Sequence, residues 1–286
     1  MNGAAMADRA IELARAKINL TLHVGAARAD GYHPLSSIVI FADAADILTA
    51  MPADEFSLTV SGPFFEGLSS GDDNLVLRAA RHAHRQLGGP MLAFHLEKKL
   101  PLSSGIGGGS ADGAAAIRHV ARFAEKPVSD IKDVVKLGAD IPVCLRSRTA
   151  LMRGIGELIE PMTGRGRVFG VLVNCGIAVP TGAIFDAFDA GPAGDLGQDE
   201  HKNIIQTAMS GRNDLQPAAC KLTPEISHVL AELSTQEGVR HSRMSGSGAT
   251  CYAITDGLSA ARTIAVRLRA KYPPWWIWYG GFGDPT

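Results

Sequence analysis

Residues 101–111 read Pro101-Leu102-Ser103-Ser104-Gly105-Ile106-Gly107-Gly108-Gly109-Ser110-Ala111, and four of the five positions from Gly105 to Gly109 are glycine. Apolar residues at helical spacing follow, at Ala114, Ile117, Val120 and Ala121. Ser110 is a hydroxyl suited to accept a first-turn N–H, so a helix is expected to open there. Residues 92–97 read as the strand that feeds the loop. A glycine loop running into a helix N-terminus gathers bare backbone N–H groups and the positive end of the helix dipole. Such a place suits an anion, and phosphate is the usual occupant. Two familiar loop designs are excluded. No Gly-Lys-Ser/Thr follows, as a Walker loop requires. Counting from Gly105 or Gly107, the last glycine of a dinucleotide fingerprint is replaced by Ser110 or Asp112.

The remaining sequence narrows the partners. With 28 Lys and Arg against 29 Asp and Glu, the net charge is −1, so no basic surface for nucleic acid is expected. No apolar run is long enough to cross a bilayer, and no signal-peptide core stands at the N-terminus; a cytoplasmic protein is expected. The four cysteines, Cys144, Cys175, Cys220 and Cys251, are too scattered for a zinc pattern and read as reduced, mostly buried thiols.

Along the chain, residues 13–24 alternate cleanly. Ala14, Ala16, Ile18, Leu20, Leu22 and Val24 fall on one face, and Arg15, Lys17, Asn19, Thr21 and His23 on the other, which predicts a half-buried strand. Asp30-Gly31 predicts a turn. Strands are expected at 37–42, 56–60, 149–153, 168–173, 250–255 and 275–282. Helices are expected at 74–87, 129–138, 204–209, 225–236 and 258–270, with Thr181 capping another through Phe188. Residues 191–200 read as a Gly/Asp-rich loop, and 244–248 as a second small-residue loop. The helix over 129–138 would leave Asp140 at its end, where side chains often act. This mixture predicts an α+β fold in two domains, 1–162 and 163–286, parted at 161–166.

A phosphate loop, a lysine on a polar strand face and an aspartate beside a helix end are the parts of a phosphoryl-transfer site. The loop holds the phosphates, a carboxylate takes the acceptor's proton, and a lysine balances charge. The order of these pieces resembles the GHMP kinase superfamily. Ala14-Arg15-Ala16-Lys17-Ile18-Asn19-Leu20 with Arg28-Ala29-Asp30-Gly31-Tyr32-His33 is similar to an opening block of that superfamily. Residues 101–115 resemble its ATP loop, and Gly138-Ala139-Asp140-Ile141-Pro142-Val143 its catalytic block. Thr181 with Phe185, Asn213-Asp214-Leu215 and Ser245-Gly246-Ser247-Gly248-Ala249 complete the set. The Asp-Gly-Tyr-His and Gly-Ala-Asp-Ile-Pro blocks resemble one branch, the 4-diphosphocytidyl-2-C-methyl-D-erythritol kinases of the non-mevalonate isoprenoid pathway.

The resemblance implies an N-terminal α+β ATP-binding domain and a ferredoxin-like C-terminal sandwich. It implies Lys17 and Asp140 as catalytic residues and Pro101 through Ala111 as the ATP site. Asn19, Tyr32, His33, Thr181 and Phe185 fall where the branch holds its cytidyl substrate. ATP with Mg²⁺ and a CDP-linked methylerythritol are the implied ligands, and a monomer or weak dimer the expected state. Ala111 stands where a second serine is usual and Gly113 where alanine is usual. Ser103 and Ser104 replace smaller or simpler residues. The missing hydroxyl at 111 removes one possible phosphate or Mg²⁺ contact and leaves the metal's protein ligands unassigned. The competing expectation is another GHMP small-molecule kinase, of the homoserine or mevalonate type.

Overall fold

A computed structural model describes residues 9–188, 196–197 and 203–284. In chain order the elements are β1 (Ala10–Asn19), β2 (His23–Val24), β3 (Leu35–Ala53), β4 (Ser57–Ser61), α1 (Leu75–Leu87), β5 (Met91–Glu97) and α2 (Gly108–Phe123). Then come α3 (Ile141–Arg146), β6 (Ala150–Gly154), β7 (Leu158–Pro161), β8 (Arg167–Asn174), α4 (Thr181–Ala187), α5 (Ile204–Ser210), α6 (Gln216–Leu222) and α7 (Pro224–Ser234). The series closes with β9 (Val239–Met244), β10 (Cys251–Thr255), α8 (Leu258–Lys271) and β11 (Trp276–Gly283). The expected loop at 191–200 lies largely outside the described residues. The fold class is α+β, as the mixed strand and helix patterns predict. Among the described residues, no helix is long and apolar enough to cross a membrane.

The chain forms two compact units, and neither is a continuous stretch. The first gathers the described part of residues 1–15 with Ala45–Leu100 and Gly108–Arg146. Here the far end of β3 pairs antiparallel with β5, from Ile47 opposite Glu97 to Ala53 opposite Met91, and β4 runs parallel to β5. Helix α1 begins where Asn74 Oδ1 accepts the Val76 N–H at 2.9 Å, and ends at Gly88 with φ 71°. Its inner stripe, Val76, Ala79, Ala80, Ala83 and Leu87, is buried. Helix α2 is buried nearly all round, and small residues make that possible. A Cβ on Gly113 would lie 3.0 Å from both Ile141 Cδ1 and Leu75 Cγ, so the departure from alanine there matches close packing by α1 and α3.

The second unit gathers Ala16–Ala44, Pro101–Gly107 and the described residues from Ser147 onward. Strand β8 is flanked by β10 and β11, both antiparallel, and β9 lies beyond β10. Every residue of β10 is buried. Ile226, Val229 and Leu233 of α7 and Ile264 and Leu268 of α8 join Val171, Val173 and Ile277 in one core. The near end of β3 pairs with β2 and β6. Cys144 and Cys251 are buried and Cys175 and Cys220 half-buried, all as free thiols.

Two expectations about elements are corrected. The strand expected over 13–24 is interrupted after Asn19. At that point Thr21 Oγ1 takes the Ile38 N–H at 2.9 Å and Leu22 N turns to the carbonyl of Arg212 at 2.8 Å. The helix expected over 129–138 is two short 3₁₀ turns, Val128–Asp130 and Val134–Leu137. Side chains of α1 take the backbone groups a helix would need: Gln86 Oε1 accepts the Lys132 N–H and His82 Nε2 meets the Lys132 carbonyl. Asp140 therefore does not end a helix. It precedes α3, and its carbonyl accepts the Cys144 N–H at 3.0 Å.

Candidate active site

The loop residues Pro101–Gly107, with Lys17, Asn19, Tyr32, His33, Thr181 and Phe185, belong to the second unit. Gly108, Gly109, Ser110, Ala111 and Asp140 belong to the first. Each group is built within its own unit.

In the second unit, β1 delivers Lys17 and Asn19. The polar face that alternation reads as half-solvated is buried here: Lys17 is 5% exposed and Asn19 4%. The backbone of Lys17 docks on the glycine loop, its N–H donating to the Ile106 carbonyl at 2.9 Å. Asn19 Nδ2 donates to Ser37 Oγ at 2.7 Å, while Asn19 Oδ1, also buried, accepts no hydrogen bond. A second loop, 245–248, braces the first. Ser245 Oγ accepts the Asn19 N–H at 3.1 Å and donates to the Gly105 carbonyl at 3.1 Å. Thr250 N donates to the Ser104 carbonyl, and Ser104 Oγ turns back to the Pro101 carbonyl at 2.7 Å. Asn213 Nδ2 holds the bracing loop through the carbonyls of Met244 and Gly246, each at 2.9 Å. Gly105 has φ +73°, and a Cβ there would lie 2.5 Å from the Ser245 carbonyl oxygen.

The Asp30-Gly31 turn forms as expected, with Gly31 N donating to the Arg28 carbonyl and Gly31 at φ +82°. It presents Tyr32 at 59% exposure. His33 Nδ1 lies 2.8 Å from the Gly25 carbonyl, and the ring meets Phe185 with centroids 5.4 Å apart and Phe188 at 5.7 Å. Phe185 also packs on the apolar core of its unit. Thr181 is not a cap. Pro180 holds the cap position of α4, and the Thr181 hydroxyl lies 2.9 Å from Ser247 Oγ.

In the first unit, α2 opens at Gly108, two residues before the expected cap, so Ser110 sits in its first turn. Gly108 and Gly109 differ in surroundings. A Cβ on Gly109 would meet nothing within 4 Å, leaving its backbone open to a ligand. A Cβ on Gly108 would lie 3.2 Å from Lys98 Nζ. That ammonium is buried, 2.5 Å from Asp46 Oδ2 and 2.7 Å from Asp112 Oδ2. Burial alone would lower the Lys98 pKa, but Asp112 and Asp46 outweigh it and raise it. Among the described residues, no three His, Cys, Asp or Glu side chains cluster so as to hold a metal.

Sequence reasoning overlooked Lys98 and Asp46 as parts of this arrangement. The run 244–248, with Ser247 in it, was visible as a small-residue loop, but nothing in one sequence says which carbonyls it supports. Lys98 had a signal: Leu92, Phe94, Leu96 and Leu100 are all buried, and the same alternation carries Lys98 inward.

Comparisons agree with this architecture. The family "GHMP kinases N terminal domain" matches residues 74–150, and "GHMP kinases C terminal" matches 187–274. The 4-diphosphocytidyl-2-C-methyl-D-erythritol kinase of Cereibacter sphaeroides is 46% identical over 270 residues, 92% of this chain and 96% of that protein. The kinase of that name from Parvibaculum lavamentivorans is 44% identical, covering 95% and 98%. A solved structure of 4-(cytidine 5'-diphospho)-2C-methyl-D-erythritol kinase matches with a TM-score of 0.80 and 31% identity, over 96% of this chain and 100% of that one. Homoserine kinase from Cytophaga hutchinsonii shares the fold, with a TM-score of 0.66 at 15% identity over 98% of this chain and 96% of that one. This chain belongs to the 4-diphosphocytidyl-2-C-methyl-D-erythritol kinase family of the GHMP kinases.

Proposed function

We propose that this protein transfers the γ-phosphate of ATP to the 2-hydroxyl of 4-diphosphocytidyl-2-C-methyl-D-erythritol, a step of the non-mevalonate route to isoprenoid precursors. One observation carries the phosphoryl-transfer reading. The strand bearing a buried lysine is hydrogen-bonded directly onto a glycine loop that runs into a helix. The acceptor is carried over from the named relatives.

In this reading Pro101 through Ala111 cradle the nucleotide, with the open backbone at Gly109 nearest the phosphates. Asp140 accepts the proton of the 2-hydroxyl as that oxygen bonds to the γ-phosphorus. The bond from γ-phosphorus to the bridging oxygen breaks, and ADP leaves with the electron pair. Lys17 balances the growing negative charge. Asn19 contributes a polar side chain to the substrate from the same strand as Lys17. Tyr32 and Phe185 flank the cytosine, His33 reads its edge, and Thr181 joins them from α4. Mg²⁺ bound with the nucleotide would neutralise charge on the transferring phosphoryl group, and the described residues offer it no dedicated cluster of ligands. The division into 1–162 and 163–286 has the support of family matches that fall on either side of it, whereas the compact units interleave across it.

The test is ADP release with the cytidyl alcohol, homoserine and mevalonate offered in turn. Turnover is expected with the first alone. Asp140→Asn should keep nucleotide binding while kcat falls about 10²–10⁴-fold. Phosphorylation of homoserine or mevalonate with the cytidyl alcohol inert would overturn the reading.

A further inference from the structure

The buried group Lys98, Asp46 and Asp112 has no part in the chemistry just described, and it is an expensive thing to bury. Replacing such a group by well-packed apolar side chains is often neutral or stabilising, so its presence points to a demand for geometry. All three residues lie in the first unit. Asp46 comes from β3, Lys98 directly follows β5, and Asp112 lies in the second turn of α2. Asp46 Oδ2 and Asp112 Oδ2 take the two hydrogen bonds from Lys98 Nζ, at 2.5 and 2.7 Å. Asp46 Oδ1 accepts the Lys99 N–H at 2.6 Å and the Leu100 N–H at 2.8 Å. The carboxylate of Asp46 thus fixes the three residues that enter the glycine loop. Through Lys98 it also fixes the first helical residues that leave it. Gly108 has no side chain, and a Cβ there would lie 3.2 Å from Lys98 Nζ and 3.7 Å from Asp46 Oδ2, so the helix start sits down on the charged group.

We propose that Lys98, Asp46 and Asp112 form a clamp that sets the spacing between the two ends of the glycine loop and so tunes its affinity for ATP. Lys98 is a positioning residue: it acts through the backbone of the loop's ends. The inference rests on the loop being the nucleotide site. The pattern of bonds supports a clamp more than a general contribution to packing. Four hydrogen bonds converge on the segments where the loop begins and ends. Asp112 Oδ1 meanwhile accepts none, although it is buried.

The experiment measures KM and kcat for both substrates, binding of a non-hydrolysable ATP analogue by calorimetry, and a thermal melt, on wild type and three variants. Lys98→Met removes the hub. Asp112→Leu frees the helix side and leaves Lys98 neutralised by Asp46, so it stays folded even where Lys98→Met does not. Asp112→Asn keeps the shape and an oxygen for Lys98. For the first two, KM for ATP and the analogue's Kd are expected to rise about tenfold or more, as loss of positioning does, with KM for the cytidyl substrate within about twofold. Asp112→Asn should restore ATP affinity to within about threefold of wild type. Folded Lys98→Met or Asp112→Leu protein with a lowered Tm and wild-type KM for ATP would show a packing role and overturn the clamp. Equal rises in both KM values would overturn it too. A wild-type protein that binds no ATP analogue would remove the nucleotide reading itself, a result distinct from variants that bind as wild type does.

Discussion

A carboxyl group shut away from water favours its proton. Asp112 is pushed up to about 8, first by burial and then by the neighbouring charge of Asp46, against the pull of Lys98. The sign of the consequence follows from proton counting. An unfolded Asp loses its proton near its ordinary value of 3.8, whereas the folded one keeps it to about 8. Between those values the folded state binds more protons, so stability falls as pH rises through the window and levels off above it. Asp112→Asn mimics the protonated form, so its Tm should lose this slope. Thermal melts across the window check it, and parallel curves for wild type and variant would mean that Asp112 titrates normally. Residues of this kind were the least legible. In Glu97-Lys98-Lys99 three adjacent charges suggest a solvated end of a strand. Two of them do stand in solvent, while the Lys98 side chain is 1% exposed. Which of the three turns inward depends on strand phase, and where its countercharges come from depends on pairing with β3. Lys17 has the same history: pattern gave its face, and only the fold gave its burial.

At the scale of elements, the legible ones carry their own punctuation. Helix α1 has an asparagine cap, an apolar stripe and a closing glycine pair, and it forms where these say. The 129–138 segment has comparable local signals and fails, because Gln86 and His82 of α1 take its backbone at Lys132. Local propensity lost to a tertiary hydrogen bond. The glycine loop combines both kinds of information. Its composition announces bare backbone, but each glycine serves a different neighbour. Gly105→Ala puts a Cβ 2.5 Å from the Ser245 carbonyl oxygen and 2.7 Å from Gly248 N, at a φ that L residues avoid. It should lower Tm and weaken ATP binding together. Gly109→Ala meets no protein atom, so it should keep or raise stability, by up to about 1 kcal/mol of helix propensity, while ATP binding weakens. Melts and ATP titrations on the two proteins check the contrast; equal ATP affinity in Gly109→Ala and wild type would take the phosphates away from that backbone.

For the whole molecule, the sequence made the α+β class readable, because strand and helix periods differ and alternate along it. Strand order was not readable. The apolar runs of β8, β10 and β11 say that each is a buried strand, yet say nothing of which lies next to which. The pairing that results places β11 between β8 and β3: Trp276 to Gly283 pair with Asn174 to Arg167, and Phe282 also faces Ala42. Removing β11 by a stop codon after Tyr272 should leave insoluble, thermolysin-sensitive protein, because β8 would lose eight paired residues along one edge and β3 its contact at Ala42. A soluble, protease-resistant product would mean that β8 closes on its neighbours without it.

That inserted strand also imposes a timetable on biosynthesis. Translation makes β11 after every other described strand, so β3 and β8 emerge from the ribosome long before the segment that joins them. From the synthesis of Asn174 until that of Trp276 the nascent chain carries β8 without its β11 partner, which is the interval when edge-to-edge association with neighbouring chains is easiest. Native pairing at Ala42 is completed only by residues made some 240 positions later, a long-range closure that favours slow, post-translational assembly and protection by chaperones.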